Sequence, residues 1–258
     1  MKIGFIGCGN MGGALARAAG GEIFLYDKYT ACAEALAKEI GATCAPCAIE
    51  LTKGVQTVFL GVKPNIIPTV LEEIKDALCG KTVVSMAAGV SIASIEAICG
   101  KGVPIIRIMP NTPAAVGEGM ILVAKNAAVT DGLLEDFLTS MKGAGRFDVI
   151  DERLMDAASA VSGCGPAFVY MFIEALADGG VKCGLPRDKA QLYAEATVRG
   201  AAALALATGK NPGALKDAVC SPGGTTIEGV MALEEGAFRG AVMSAVTAAY
   251  EKTLKIGK

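Results

Sequence analysis

The stretch that decides the fold is Lys2-Ile3-Gly4-Phe5-Ile6-Gly7-Cys8-Gly9-Asn10-Met11-Gly12-Gly13-Ala14-Leu15. An apolar run of strand length breaks at a glycine and resumes with helical spacing, so strand, tight turn and helix follow one another without a spacer. Gly7 suits the turn, Gly9 lets backbone approach a pyrophosphate, and Gly12 lets the helix lie against the strand. The helix start then offers unpaired N–H groups to the phosphates. Alone, GxGxxG carries little weight in a chain with 33 glycines. Its place directly after a strand matters more, as does Asp27, twenty residues beyond Gly7 at the end of a second apolar run, Ile23-Phe24-Leu25-Tyr26. Together they supply the context that a dinucleotide-binding unit requires. The competing reading is a strand-to-helix turn with no ligand.

Outward from this stretch, composition narrows the field. The 258 residues suit one large or two modest domains, and a 52% hydrophobic share is ample for a buried core. A net charge of −2 without a basic run argues against nucleic acid. No apolar stretch reads as a membrane span, and Lys2 runs straight into a strand, so the expected location is cytoplasmic. Nine cysteines, an odd number, are scattered through apparent core segments and read as reduced thiols acting as small hydrophobes. There is no histidine, which removes Ser-His-Asp and Cys-His nucleophilic machinery and any His-containing metal site. Cys44-Ala45-Pro46-Cys47 matches CxxC, but no second pair completes a zinc site and no long helix follows as in a thioredoxin-like motif. It reads as incidental, and no metal is expected.

The N-terminal half alternates strand and helix. A helix is expected from Thr30, as its cap, to about Ile40, ended by Gly41. Strands are expected at 55–60, 82–85, 103–108, 120–124 and 147–150, with a mostly helical segment at 65–78 and helices capped by Ser91 and Thr130. Repeated βα units predict a doubly wound, mostly parallel sheet of the Rossmann type, whose ligands lie beyond the C-terminal strand ends. From about Asp151 only helices are expected, at 151–161, 166–183, 187–208, 212–219, 225–235 and 237–254. The chain therefore divides into a dinucleotide-binding α/β domain, 1–152, and an all-α domain, 153–258. Runs such as 201–207 and 241–249 are apolar around most of the helix, so they must be buried. So few helices cannot cover one another in a monomer, and dimerisation through this domain is expected.

Cys220-Ser221-Pro222-Gly223-Gly224-Thr225-Thr226-Ile227-Glu228 is the one C-terminal stretch that looks chemical. Thr225 with Glu228 has the spacing of a capping box, so a helix start behind a Pro-Gly-Gly loop is expected, either as an anion site or as a helix start and nothing more. Gly163-Cys164-Gly165-Pro166 reads likewise as a functional loop or a break between helices.

Six segments, in order and spacing, resemble the pyrroline-5-carboxylate reductases across essentially the whole chain: 4–11, Val62-Lys63-Pro64, Ala87-Ala88-Gly89-Val90, Met109-Pro110-Asn111-Thr112-Pro113, 162–167, and 212–217 through Ser221-Pro222-Gly223-Gly224-Thr225-Thr226. The resemblance implies NAD(P)H-dependent reduction of the C=N bond of 1-pyrroline-5-carboxylate to L-proline, the last step of proline synthesis. It also implies a homodimer or an assembly of dimers. By analogy the cofactor is lined by Ile6, Gly7, Cys8, Gly9, Asn10, Met11, Asp27, Gly61, Val62, Lys63, Pro64, Met86, Ala87, Ala88 and Asn111. The substrate is held by Gly223, Gly224, Thr225 and Thr226, with Thr226 facing the ring nitrogen as the catalytic side chain. Asp27 stands where family members often carry Ser, Asn or Arg. A carboxylate there bonds the ribose 2′-OH of NADH and repels a 2′-phosphate, with Lys28 offsetting part of the effect, so NAD(P)H is expected with NADH favoured and NADPH left open. Two other classes compete. A β-hydroxyacid or 6-phosphogluconate-type dehydrogenase needs a catalytic Lys at a helix start with Asn about four residues on, a context that Lys182, Lys189 and Lys210 lack. A non-catalytic nucleotide sensor has no use for an intact Ser221 to Thr226 loop.

Overall fold

Alternation along the first strand builds two core layers at once. Ile3 and Phe5 point into one apolar cluster and Ile6 into the other, so both sheet faces must be covered. The computed structural model describes Met1–Lys255. The strands are β1 (Lys2–Ile6), β2 (Glu22–Tyr26), β3 (Thr43–Cys44), β4 (Thr57–Leu60), β5 (Thr82–Ser85), β6 (Ile105–Met109), β7 (Gly119–Lys125) and β8 (Gly145–Val149). Between them lie α1 (Asn10–Ala18), α2 (Thr30–Ile40), α3 (Ala48–Gly54), α4 (Ile67–Ile74), α5 (Ile92–Cys99) and α6 (Asp131–Ser140). The eight strands run in the order 3-2-1-4-5-6-7-8, all neighbours parallel except β6 with β7. The expected mostly parallel, doubly wound sheet is what forms. Strand order reverses beside β1, so the loops after β1 and β4 flank the crevice where such sheets bind ligands.

Each layer has its own anchor. On one face Phe5 stacks on Phe59 at 4.5 Å between ring centres, and Phe59, Phe137 and Phe147 continue the series at 6.1 and 6.0 Å. On the other, Leu51, Leu71, Ile74 and Ile95 of α3, α4 and α5 pack on Val58, Leu60 and Val83. The short β3 and α3 were not anticipated, because a two-residue strand has no measurable period and the seven-residue α3 starts directly after the Cys-Ala-Pro-Cys stretch. Ser91 and Thr130 cap α5 and α6 as expected, accepting from Ser94 N at 3.1 Å and Leu133 N at 3.3 Å, and Gly41 ends α2 in the left-handed conformation. Thr30 does not cap α2: it is the first helical residue, and Tyr29 holds the cap position without a side-chain bond. Of the nine cysteines only Cys8 is buried, while Cys32, Cys44, Cys79 and Cys183 are exposed, so the reading of them all as core hydrophobes holds for one.

Beyond β8 follow α7 (Met155–Ser162), α8 (Gly165–Lys182), α9 (Arg187–Thr208), α10 (Pro212–Val219), α11 (Thr225–Glu235) and α12 (Phe238–Thr253). The chain separates into two compact units, one of Met1–Cys164 with the described residues from Ala249 onward, the other of Gly165–Ala248. The second unit has almost no core of its own. Ala177, Ala190 and Ala194 are its buried apolar side chains, gathered where α8 and α9 pair. Gly180 makes that pairing close, since a Cβ there would lie 3.2 Å from that of Ala190. Met171, Leu206 and Met243 are 70%, 69% and 65% exposed, and Tyr170, Leu192 and Leu204 are also uncovered. One run, Glu152–Lys182, is by length and composition apolar enough to cross a membrane, which the sequence reading had not marked. Uncovered apolar surface on this scale marks an interaction face, and the small residues of α9 allow another helix to approach. The folded chain is expected to sediment as a dimer or a multiple of it; a well-behaved, active monomer at low concentration would contradict this.

Candidate functional site

The turn between β1 and α1 is defined by what cannot fit into it. Gly7 has φ +100°, and a Cβ there would lie 2.7 Å from the Gly61 carbonyl carbon. A Cβ on Gly12 would lie 2.1 Å from the Gly7 oxygen, and one on Gly61 2.5 Å from the same atom. Those contacts are impossible for any other residue, so the turn, α1 and the loop after β4 are glycine at their meeting point. Gly9 is different: a Cβ there would meet nothing within 4 Å. Its missing side chain therefore leaves open space in front of the α1 N-terminus, which has no side-chain cap. Open space before uncapped N–H donors is the setting in which a helix start can take a phosphate group.

Asp27, immediately after β2, reaches back to this turn. Its Oδ2 accepts from Cys8 N at 2.7 Å and its Oδ1 from Tyr29 N at 2.9 Å, so one carboxylate holds both the glycine turn and the entry to α2. Cys8 is buried beneath it and donates its thiol to the Tyr26 carbonyl. Burial first, then the Asp27 charge, pushes that thiol up to about 12, which keeps it neutral and unreactive. Beyond Asp27 opens a cavity of about 290 Å³ lined by Tyr26, Asp27, Thr30, Ala33, Glu34, Cys44, Ala45 and Pro46.

The other strand-end loops are set by neighbours. Gly61, Val62, Lys63 and Pro64 follow β4, with Gly61 N bonded to the Ile6 carbonyl at 2.8 Å. Met86, Ala87 and Ala88 follow β5 and lead to α5, whose first N–H, on Ile92, donates to Glu152 Oε1 at 2.8 Å. The same oxygen receives Arg107 Nη1 at 2.9 Å, and Asp156 lies 3.6 Å from Nη2. Arg107 is 4% exposed, in the middle of β6, and its Nε has no hydrogen-bond partner among the described residues. This guanidinium ties the loop after β5 to the approach to α7, a role no sequence pattern marked. Asn111 is spent in the same manner: its Nδ2 donates to the Ser162 carbonyl at 2.8 Å and its Oδ1 accepts from Met120 N at 2.9 Å. Its carboxamide braces the loop after β6 against β7 and the end of α7.

In the second unit, Ser221-Pro222-Gly223-Gly224 forms a tight turn closed by Gly224 N to the Ser221 carbonyl at 3.0 Å, with Gly223 at φ +66°. Proline second and a positive-φ glycine third are what a type II turn asks for. The turn feeds α11, whose cap is Gly224, not Thr225, and which has no side-chain cap. The expected capping box is thus absent. Thr225 and Thr226 are the first helical residues, exposed, with the uncapped N–H groups of the first turn beside them. Among the described residues no three Cys, Asp or Glu side chains gather as metal ligands.

A doubly wound sheet with a glycine cradle at its switch point and a carboxylate after β2 defines a dinucleotide-binding protein of the Rossmann class. Residues 152–256 match the family described as pyrroline-5-carboxylate reductase dimerisation, and residues 2–89 one described as NADP oxidoreductase coenzyme F420-dependent. The pyrroline-5-carboxylate reductase of Escherichia coli K12 is 44% identical, with 100% of this chain and 98% of that protein aligned. Two solved structures agree over nearly their full length. The Plasmodium falciparum pyrroline carboxylate reductase with NADP bound has a TM-score of 0.89 at 35% identity, covering 100% of this chain and 98% of that one. The pyrroline-5-carboxylate reductase of Coxiella burnetii has a TM-score of 0.91 at 32% identity, covering 99% and 98%. The chain belongs to the pyrroline-5-carboxylate reductase family. It is an enzyme of proline biosynthesis that reduces 1-pyrroline-5-carboxylate with a nicotinamide cofactor, and its C-terminal region is a dimerisation domain.

Because Arg107 is buried against two carboxylates, Arg107→Met leaves Glu152 and Asp156 without their cation and is expected to lower stability by about 3 kcal/mol. Denaturant unfolding of the two proteins measures it; a loss below about 1 kcal/mol would mean that solvent replaces the pair without cost.

Proposed function

We propose that this reductase favours NADH, holding it over Gly7 to Met11 with Asp27 at the ribose, and that the start of α11 holds the imino acid. The division of labour follows the expected domains, 1–152 for the dinucleotide and 153–258 for dimerisation and substrate, and the enzyme is cytoplasmic. The observation that carries the cofactor reading is the placement of Asp27. Its carboxylate lies both on the glycine turn, through Cys8 N, and on the wall of the cavity beyond β2. A 2′-phosphate brought within about 4 Å of it, at an effective dielectric near 20, meets a like-charge cost on the order of 4 kcal/mol per unit charge before screening by solvent. The Plasmodium falciparum relative holds NADP, so the preference for NADH is proposed for this chain on Asp27 and not carried over from that relative.

When bound, the cofactor supplies hydride from nicotinamide C4, and this chemistry needs no ionised side chain. What the chain contributes is binding and orientation. The first-turn N–H groups of α11, in the positive end of the helix dipole, suit the substrate carboxylate without a basic side chain. Thr226 Oγ turns to the ring nitrogen and fixes the plane of the imine, and the iminium proton arrives on the substrate or from water. Ile6, Val62, Lys63, Pro64, Met86, Ala87 and Ala88 form the walls, with Asn111 bracing one of them.

The test of the cofactor reading is absorbance loss from NADH and, separately, NADPH on adding 1-pyrroline-5-carboxylate. Asp27→Asn keeps an acceptor for Cys8 N while removing the charge, so the NADPH/NADH ratio of kcat/KM is expected to rise by about tenfold. Asp27→Ser should raise the ratio too, but with a higher KM for both cofactors, because the turn loses its brace. An unchanged ratio in both would place Asp27 away from the ribose.

Thr226→Ala removes one hydrogen bond to a charged group and is expected to lower kcat/KM for the imino acid by about one to two orders of magnitude, with NADH affinity unchanged. Thr225→Ala, lacking the capping duty, should alter stability by less than about 0.5 kcal/mol. Full turnover in Thr226→Ala with loss in Thr225→Ala would exchange their roles.

A further inference from the structure

Asp27 is not the only carboxylate on the cavity beyond β2 and β3. Glu34, in the second turn of α2, lines it too, together with Ala33, Cys44 at the end of β3, and Pro46 beyond it. The two acids differ in what else they do. Asp27 has an oxygen committed to each of two backbone donors, which draws down its field and ties it to the turn. Glu34 is exposed and has no hydrogen bond or ion pair among the described residues. Its charge is unspent.

The neighbourhood otherwise invites a phosphate. The α2 N-terminus has no side-chain cap, and Thr30, its first residue, lines the same cavity. An uncapped helix start carries partial positive charge and donors, the ordinary setting for an anion. The nearby cations do not change this balance on the cavity wall, since Lys28 and Lys38 are exposed and do not line it. A negative side chain in the second turn, on the wall of the same cavity, opposes that attraction.

We propose that Glu34 is a specificity-determining residue, its carboxylate set on the adenosine side of the dinucleotide to select against a phosphate on the ribose 2′ oxygen. The proposal rests on the reading of this cavity as the place of the adenosine half of the cofactor. It adds a second charge to the first: Asp27 holds the turn, contacts the ribose and repels the phosphate at close range, and Glu34, with no other partner to satisfy, reinforces that rejection from α2. Glutamate to glutamine at an exposed helical position scarcely alters helix propensity, so the charge can be removed without disturbing the fold.

The experiment measures the dissociation constants of adenosine 2′,5′-bisphosphate and of 5′-AMP by calorimetry, for the unaltered enzyme, Glu34→Gln and Glu34→Arg, each checked for an unchanged Tm. Removing one exposed like charge should tighten the bisphosphate by about threefold, and reversing it by at least about tenfold, with 5′-AMP unmoved. The gains should shrink as salt is raised, and kcat/KM for NADPH should follow the bisphosphate. Variants that leave the ratio of the two constants unchanged, or that move both together, would overturn the proposal. The broader NADH reading fails separately: an unaltered enzyme that binds the bisphosphate more tightly than 5′-AMP refutes it, while a further gain in Glu34→Gln still upholds the role of Glu34.

Discussion

The nucleotide-binding unit depends on a meeting of backbones at the ends of β1 and β4, where side chains are forbidden. Cβ atoms on Gly12 and Gly61 would lie 2.1 and 2.5 Å from the Gly7 carbonyl oxygen, closer than any real contact. Only this approach lets α1 point its N-terminus across the switch point of the sheet. Gly4 serves the same packing from below: a Cβ there would run into Leu51 of α3, so the strand and its crossover helices close over one another. Asp27 then fastens the turn from the neighbouring strand. The cradle is thus rigid before any ligand arrives, and orientation is where a hydride-transferring enzyme needs its rigidity.

How far the sequence could be read follows from how local each signal is. The β1–α1 motif, the parallel sheet and the spans of α9, α10 and α11 were legible because periodicity and Gly or Pro punctuation are local properties. Caps at Ser91 and Thr130 were legible for the same reason. Thr30 and Thr225 misled, since a threonine at a helix start occupies either the cap or the first helical position, and a neighbouring residue decides. At α2 the bond of Tyr29 N to Asp27 shifts the register, and at α11 the turn closed by Gly224 does. Arg107 and Asn111 were opaque in their duties because their partners lie 45 and 51 residues away, at Glu152 and Ser162.

The two units solve the problem of burial differently. The sheet closes two full layers of Leu, Ile, Val and Phe, whereas the helical unit gathers three alanines and leaves Met171, Leu206 and Met243 in the open. A helix apolar on most sides must find its core elsewhere, and in a dimerisation domain that core is a second copy. Stability of this region is then tied to protomer concentration. The run Glu152–Lys182 that resembles a membrane span by composition meets the same need for cover that its neighbours share.

The chain has no histidine, and hydride transfer to an imine rests first on alignment, since the cofactor carries the hard chemistry. The starts of α1 and α11 are both helix N-termini without a side-chain cap, the setting in which dipoles and N–H groups can take an anion without titrating. Asp27 and Glu34 line the cavity beyond β2, and on the proposed placement of the cofactor they act on which nucleotide enters and not on bond making. The one thiol at the turn, Cys8, is kept neutral by burial and by Asp27. Recognition is thus electrostatic and reaction geometric, so substitutions at the adenosine end should alter affinity and selectivity while leaving the hydride step itself untouched.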